Sequence, residues 1–214
     1  IILITADKGL AGAYNSNIIR NTLRFMDEKN RQNADLITVG RKGRELMMRL
    51  RKNVIADFAD ISDRPSVIEI APIARIAIDG FLSGEYDEVY LSYSEFINTL
   101  VQTPTVRLLL PLHTGVESAV MNKYLDGQDG MVNSDYSYEP DPITLLDTIL
   151  PRFTELQVYQ STLEAQASEH SARMVAMRNA TENAHHLIDD LTLTYNKARQ
   201  EAITNELLDI AGGA

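Results

Sequence analysis

Residues 152–211 read RFTELQVYQSTLEAQASEHSARMVAMRNATENAHHLIDDLTLTYNKARQEAITNELLDIA and contain neither glycine nor proline. As a single helix, this stretch of 60 residues would extend about 90 Å, at about 1.5 Å per residue. A compact domain of this chain length has a radius of gyration of only about 17 Å, so the helix must project beyond the body. Asp141 followed by Pro142 predicts the start of the helix, because both residues suit a first turn. Pro151 should kink or interrupt it near its base.

An apolar seam follows this helix at alternating spacings of three and four residues, which over about seven heptads predicts a coiled coil. Between Ala165 and Ala184 the helix is rich in Ala and Ser, so a partner backbone could approach closely. No second helix of matching length is predicted here. We therefore expect the partner to be another polypeptide, or a missing N-terminal part of this one. Polar Gln160, His170, Thr181 and Asn205 interrupt a seam that consists of Phe153, Leu156, Leu163, Ala167, Met174, Met177, Ala184, Ile188, Leu191, Tyr195, Ala198 and Ala202.

Residues 1–112 alternate strand and helix patterns. The apolar runs at 1–5 and 36–39 are typical of strands buried on both faces. A helix between them has apolar residues at helical spacing, with Asn15 or Ser16 as the expected N-cap. This alternation predicts an α/β fold with a mostly parallel sheet and helices on both sides. We also expect a short helix at 44–50, a weak strand at 54–58, a helix from a Ser66 cap to about 82, and strands at 89–93 and 105–110.

Residues 113–141 differ from both halves. They hold four Asp and two Glu against one Lys, with three glycines and no sustained period. We interpret them as an acidic insertion or hairpin at the edge of the sheet. The sequence therefore divides into an α/β domain at 1–112, this acidic segment, and the long helix at 142–214.

Composition excludes several classes of protein. A net charge of −10 is unfavourable for binding nucleic acid, whose phosphates require clustered cations. The absence of cysteine rules out disulfides, thiolate metal sites and cysteine nucleophiles. No apolar run approaches the length of about 18 residues that a membrane span needs, so membrane association should require a partner. Because the sequence starts at Ile1, within a strand pattern, we expect the natural N-terminus to be missing.

The loop from Gly9 to Gly12 follows the first strand and opens a helix, where a nucleotide- or phosphate-binding enzyme would place its phosphate site. It lacks the three-glycine spacing of the dinucleotide fingerprint, and the chain contains no P-loop. The four histidines show no metal-binding spacing. We therefore expect no cofactor, metal or catalytic residue, and retain a nucleotide-binding α/β enzyme and a structural coiled-coil adaptor as alternatives.

The run from Ala167 to Ala214 includes the motif Ile203-Thr204-Asn205-Glu206, then Asp209. This run resembles the C-terminal signature of the gamma subunits of F-type ATP synthases. The segments TADKGLAGAYNSN at 5–17, EFINTLVQTPT at 95–105 and YSYEPDP at 136–142 are similar to the family at matching places. The resemblance covers essentially the whole chain.

The resemblance implies a non-catalytic rotor shaft that couples proton flow through a membrane c-ring to ATP synthesis or hydrolysis at beta subunits. It implies an antiparallel coiled coil with an N-terminal helix, inside a hexamer of alpha and beta subunits, and a Rossmann-like foot that meets epsilon and the c-ring. The complex would be peripheral on the cytoplasmic face of a bacterial plasma membrane, or on the matrix side of the mitochondrial inner membrane. By the same resemblance, Tyr136, Tyr138 and Glu139 would lie at the foot, and the hexamer contacts would be Arg173, Arg199, Gln200, Thr204, Glu206 and Asp209.

Overall fold

The computed structural model describes residues 1–28, 33–112 and 142–213. Strands and helices alternate through the first part of the chain, and one very long helix follows. In chain order the elements are β1 (Ile2–Ile4), α1 (Tyr14–Glu28), β2 (Leu36–Val39), α2 (Arg41–Arg49), β3 (Val54–Phe58), α3 (Val67–Leu82), β4 (Val89–Phe96), β5 (Gln102–Leu110) and α4 (Pro142–Gly212).

The strands form one five-stranded sheet in the order β3-β2-β1-β4-β5. The pairs β1 with β2, β2 with β3 and β1 with β4 are parallel, and only β4 with β5 is antiparallel. The predicted mostly parallel α/β sheet followed by a long helix is therefore confirmed.

Both faces of the sheet are covered, which explains the unbroken apolar character of β1. Ile2 and Ile4 point to the face that α3 and α4 cover, where they join Ile73 and Val158. Leu3 points to the opposite face, against α1 and α2. Burial on both faces is the usual state of a parallel strand. The base of α4 is thus part of the hydrophobic core of the domain.

The sequence predicts the start of α3 correctly and the starts of α1 and α2 incorrectly. Ser66 caps α3 with a complete capping box, in which its hydroxyl accepts from the Glu69 N–H, as predicted. The first helix begins at Tyr14, which puts its cap at Ala13, so the predicted cap at Asn15 or Ser16 is wrong by two or three residues. Asn15 has another use, since its Oδ1 accepts a hydrogen bond from the Ala6 N–H. Similarly, α2 begins at Arg41 instead of 44, directly after Gly40.

The long helix is continuous from Pro142 to Gly212, and at about 1.5 Å per residue its 71 residues extend about 105 Å. The predicted interruption at Pro151 is wrong, because the helix passes through that residue. Proline there removes the N–H that would donate to the Asp147 carbonyl. Asp147 is exposed, so water can satisfy that carbonyl. The acidic segment 113–141, with its expected cap at Asp141, lies outside the described residues.

Candidate functional site

The lower part of α4 has a narrow face that packs on the sheet domain. Its buried residues recur every three or four positions. They are small or medium in size, which lets the helix backbone lie close to the sheet. The expectation that the Ala- and Ser-rich middle of the helix serves a separate partner is therefore wrong for this part, whose buried residues are Thr154, Val158, Ser161, Thr162, Ala165 and Ser168.

The predicted seam lies on the other side of the helix. Leu156 and Leu163 stand about 200° and about 140° from Val158 around the helix, at about 100° per residue. The exposed fractions are 51% for Leu156, 57% for Met174 and 57% for Ile188. Elsewhere in the described part of the chain, no helix exceeds the 16 residues of α3. The large seam residues from Leu156 to Tyr195 therefore face away from their own domain, whereas Phe153 and Ala167 are half-buried.

Beyond the domain, α4 is bare. Every side chain from 177 to 212 is exposed, except Asn196, which is half-buried. Monomeric proteins rarely leave long apolar surfaces open to water, so this stretch has the character of an interaction surface. Its large exposed apolar residues are Met177, Leu187, Ile188, Leu191, Leu193, Tyr195, Ile203, Leu207, Leu208 and Ile210.

Five of the six predicted hexamer contacts lie together near the end of this bare stretch. Arg199, Gln200, Thr204, Glu206 and Asp209 are all exposed within the last four turns. The Thr204 hydroxyl donates to the Gln200 carbonyl at 2.8 Å, within the helix. None of the five touches the sheet domain, so each is available to a partner. The predicted foot residues Tyr136, Tyr138 and Glu139 lie outside the described residues.

Arg173 is separate from the other five. It lies 26 residues before Arg199, which is about 39 Å along a helix. It forms an ion pair with Glu169 one turn earlier, and its side chain is only 26% exposed. Arg173 therefore lies where the helix leaves the domain, not on the bare stretch.

A crevice separates Arg173 and Glu169 from the carboxyl ends of β1 and β2. It encloses about 490 Å³, and its walls include Asp7, Gly40 and Asp60. Asp7 links the surrounding loops, because its two carboxylate oxygens accept from the Arg41 and Asp60 N–H groups, both at 3.0 Å. Both carboxylate oxygens of Asp7 therefore help to hold these loops together.

The glycine loop beside the crevice is hydrogen-bonded to the start of α1. The Tyr14 N–H donates to the Ala11 carbonyl at 3.2 Å, and the Asn17 N–H to the Ala13 carbonyl at 2.9 Å. Gly12 lies against the long helix, where an added Cβ would meet Ala176 at 3.8 Å. A phosphate site at a helix start needs free N–H groups pointing at the ligand. These contacts give no support to nucleotide binding at Gly9–Gly12.

Tyr14 joins α1 to the long helix. Its hydroxyl is buried and donates to the Ala165 carbonyl at 2.8 Å. Burial raises the pKa of Tyr14 well above its ordinary value of 10, and the nearby Glu169 carboxylate adds to the increase. The phenol therefore stays neutral and remains a hydrogen-bond donor throughout the physiological range.

We expect Tyr14→Phe to lower the free energy of unfolding by about 1 kcal/mol at pH 7, because one buried hydrogen bond is lost. A folded-state pKa above the unfolded value of 10 stabilises the fold below pH 10 and loses that contribution as pH rises further. The difference between parent and variant should therefore shrink above pH 10 in urea unfolding. Tyr195→Phe, at a tyrosine that is 65% exposed, is the control and should change nothing. A difference that stays constant up to pH 11 would contradict the assignment.

Sequence reasoning missed three side chains at this junction. Tyr14, Gln166 and Ser168 each make a hydrogen bond that joins the long helix to the domain. The available signal was the second stripe of small residues on α4, which has helical spacing but falls outside the seam. Among the described residues no cluster of His, Asp and Glu could hold a metal ion. None of the described helices combines the length and apolar character that crossing a membrane requires.

Comparisons with known proteins agree with this architecture. The family model described as ATP synthase matches residues 1–214. The chain is 48% identical over 216 residues to the ATP synthase gamma chain of Roseiflexus castenholzii, covering all of this chain and 71% of that protein. It is 46% identical over 214 residues to the gamma chain of one strain of Dehalococcoides mccartyi, with the same coverage.

Solved structures give the same result. A central stalk and c-ring structure of the Tetrahymena thermophila mitochondrial ATP synthase matches with a TM-score of 0.63 at 27% identity, covering 84% of this chain and 75% of the other. A Euglena gracilis mitochondrial ATP synthase structure matches in fold with a TM-score of 0.69 at 22% identity, covering 99% of this chain and 70% of the other.

Proposed function

Because this chain belongs to the ATP synthase gamma chain family, we propose that α4 is a shaft that turns inside a ring of alpha and beta subunits. As a gamma chain, it is part of the central stalk of a rotary ATP synthase. The observation that carries the proposal is the bare half of α4, which exposes apolar side chains from Met177 to Ile210 without touching its own domain.

The proposed mechanism is mechanical. An asymmetric shaft touches three beta subunits differently, so its angle changes the relative free energies of their conformations. A contact can bias a conformational equilibrium only through different interaction energies with the two states. The charged and polar side chains on the bare stretch provide such differences. In this proposal, ion flow through the c-ring turns the shaft during synthesis, and the chemistry of ATP takes place on the beta subunits.

We assign the hexamer contacts to the exposed end of α4. Arg199 and Glu206 project from one side of the helix, and Gln200 and Thr204 from another, so the stretch can contact more than one neighbour at once. Asp209 lies one turn nearer the tip. Arg173 sits at the exit from the domain, so we propose that it contacts the lower rim of the hexamer. The seam would pair with an antiparallel N-terminal helix of the gamma subunit.

The direction of α4 supports an orientation for the whole subunit. Ala165 and Gln166 bond to Tyr14 and Ser62, which follow the carboxyl ends of β1 and β3. The helix therefore leaves the domain at the carboxyl ends of the parallel strands. We propose that the opposite end of the sheet, with the ends of α2 and α3, faces epsilon and the c-ring. Tyr136, Tyr138 and Glu139 remain proposed contacts at that foot.

In this proposal the chain is a non-catalytic subunit with no cofactor of its own. The complex would lie peripherally on the cytoplasmic face of a bacterial plasma membrane, with the matrix side of the mitochondrial inner membrane as the alternative. The Ala11 carbonyl of the glycine loop accepts a hydrogen bond from the Tyr14 N–H, and this contact with the start of α1 supports a structural role for the loop.

Co-expression tests the proposed function. The full-length gene product, purified with the alpha and beta subunits of the same organism, should form a complex that hydrolyses ATP and in which the gamma subunit rotates. Alpha and beta subunits without it are the control and should lack sustained, rotation-linked hydrolysis. A coiled-coil adaptor would not assemble with them. Calorimetric titration of the isolated chain with ATP and NAD should show no binding, whereas a nucleotide-binding enzyme would show saturable heat.

A further inference from the structure

Three hydrogen bonds join the long helix to the domain within a single turn. The Tyr14 hydroxyl donates to the Ala165 carbonyl at 2.8 Å. The Gln166 side-chain amide donates to the Ser62 carbonyl at 2.9 Å, and the Ser168 hydroxyl to the Ser94 carbonyl at 3.0 Å. Their three partners belong to the start of α1, the loop between β3 and α3, and strand β4. One turn of α4 is therefore tied to three separate parts of the domain.

The two bonds donated by α4 lie on opposite flanks of the helix. Gln166 and Ser168 are two residues apart, so their side chains project about 200° apart around the axis. Rotation of α4 about its own axis in one sense lengthens the Gln166 bond, and rotation in the other sense lengthens the Ser168 bond. Sliding along the axis lengthens both. The pair opposes displacement in either direction.

Packing alone gives this interface little resistance to rotation. Between Ser161 and Ser168 the buried side chains of α4 are only those of Ser, Thr and Ala, which form shallow ridges. Deep interlocking of ridges and grooves is what fixes the relative angle of packed elements. Apolar burial is also non-directional, so it holds the helix on the sheet without setting its rotation. The Arg75–Glu155 ion pair at 3.5 Å adds little, because the Arg75 side chain is 72% exposed.

We propose that Gln166, Ser168 and Tyr14 form a torsional clamp that transmits torque between the shaft and the body of the subunit. The proposal rests on the proposed rotor function. The three are positioning residues: they set the angular register of α4, while the chemistry takes place elsewhere. The Ser168 hydrogen bond is fully buried, and the Gln166 hydrogen bond lies at the solvent-exposed edge of the interface.

The test uses the complete ATP synthase with full-length gamma carrying Gln166→Ala and Ser168→Ala together. A particle attached to the sheet domain reports angular fluctuations while catalysis is paused. The variance of these fluctuations should rise about twofold, because two of the directional bonds between α4 and the domain are gone. The Tyr14–Ala165 bond and the hydrogen bond between the Tyr93 and Ser161 side chains remain. The unloaded rate of ATP hydrolysis should stay at the parent value. A variance equal to that of the parent would overturn the clamp.

Two control variants separate the clamp from general loss of stability. Thr148→Ala removes a hydrogen bond that Thr148 makes to the Thr144 carbonyl within the same helix, on an exposed side chain outside the seam, so stiffness should not change. Val158→Ala removes apolar contact from the same interface and should lower the melting temperature without raising the variance. If Val158→Ala raises the variance as much as the double substitution does, then packing and not the clamp transmits torque.

The single variants and the parent complete the test. If the double variant does not assemble, Gln166→Ala and Ser168→Ala should each raise the variance above that of Thr148→Ala, and failure of both to do so rejects the clamp. Absence of ATP-driven rotation with parent gamma would instead reject the proposed function. Rotation with parental stiffness in the double variant rejects only the clamp.

Discussion

An Arg199→Glu variant of the full-length chain, assembled into the complete ATP synthase, should pump ions at about a tenth of the parent rate or less. Arg199 is exposed on the bare stretch of α4, where the proposed hexamer contacts cluster. In the proposed contact, Arg199 is paired with a negative charge of the hexamer and shielded from water. Reversing the charge of Arg199 replaces this attraction by a repulsion and leaves the partner charge buried without compensation. The measurement is ATP-driven acidification or ion uptake in vesicles, normalised to ATP hydrolysis.

Arg152→Glu is the matched control, because Arg152 is also exposed on α4 but lies beside the domain. It should leave pumping near the parent value. Glu164 would be a poorer control, because it is half-buried and accepts a hydrogen bond from Gln160, so its reversal would disturb the helix itself. Equal pumping by the Arg199 and Arg152 variants would remove Arg199 from the hexamer interface.

A Gly40→Ala substitution should lower the free energy of unfolding by about 3–5 kcal/mol. Gly40 ends β2 with a φ of +96°, and a Cβ there would lie 2.1 Å from the Thr5 carbonyl oxygen. The backbone cannot yield easily, because the Gly40 N–H donates to the Phe58 carbonyl at 2.7 Å. Denaturant unfolding measures the change, and loss of soluble protein is the expected result if the variant does not fold.

Substitutions at two other glycines separate the cost of backbone strain from the cost of the clash with Thr5. Gly84 has a φ of +75° but open space around it, so Gly84→Ala should cost only about 1 kcal/mol of backbone strain. Gly9 has open space and no positive φ, so Gly9→Ala should be close to neutral. If Gly40→Ala costs no more than Gly84→Ala, the clash with Thr5 is relieved by movement and the larger estimate is wrong.

The sheet domain was predictable because the sequence signals that determine its strands and helices are local. The apolar run at β1, the Ser66 capping box and the alternation of strand and helix each depend on neighbours in sequence. Helix starts were less certain, because they depend on distant partners. Asn15 accepts from the Ala6 N–H instead of capping, and at the start of α2 Asp7 accepts from the N–H of Arg41.

The extent of the long helix was predictable from the sequence, but only one of its two interaction faces was interpreted correctly. Its seam was readable as a heptad pattern, and the structure leaves that seam facing away from the domain. The second face, with Ala165 and Ser168, was interpreted as room for a partner because a sequence does not say which of two stripes meets its own sheet. The bonds of Gln166 to Ser62 and of Ser168 to Ser94 join residues 104 and 74 positions apart, a range at which local patterns carry no information.

The position of Val158 and Ala165 in the core of the domain has a consequence for how the protein is made. A ribosome synthesises residues 1–112 before these two side chains exist, so the part of the sheet face that α4 covers beside α3 stays open until then. Nascent chains that end before residue 165 should expose Ile70 and Ile73 and bind holdase chaperones, and chains extended past Ser168 should release them. The sheet domain therefore acquires its complete hydrophobic core only after the base of α4 has been synthesised.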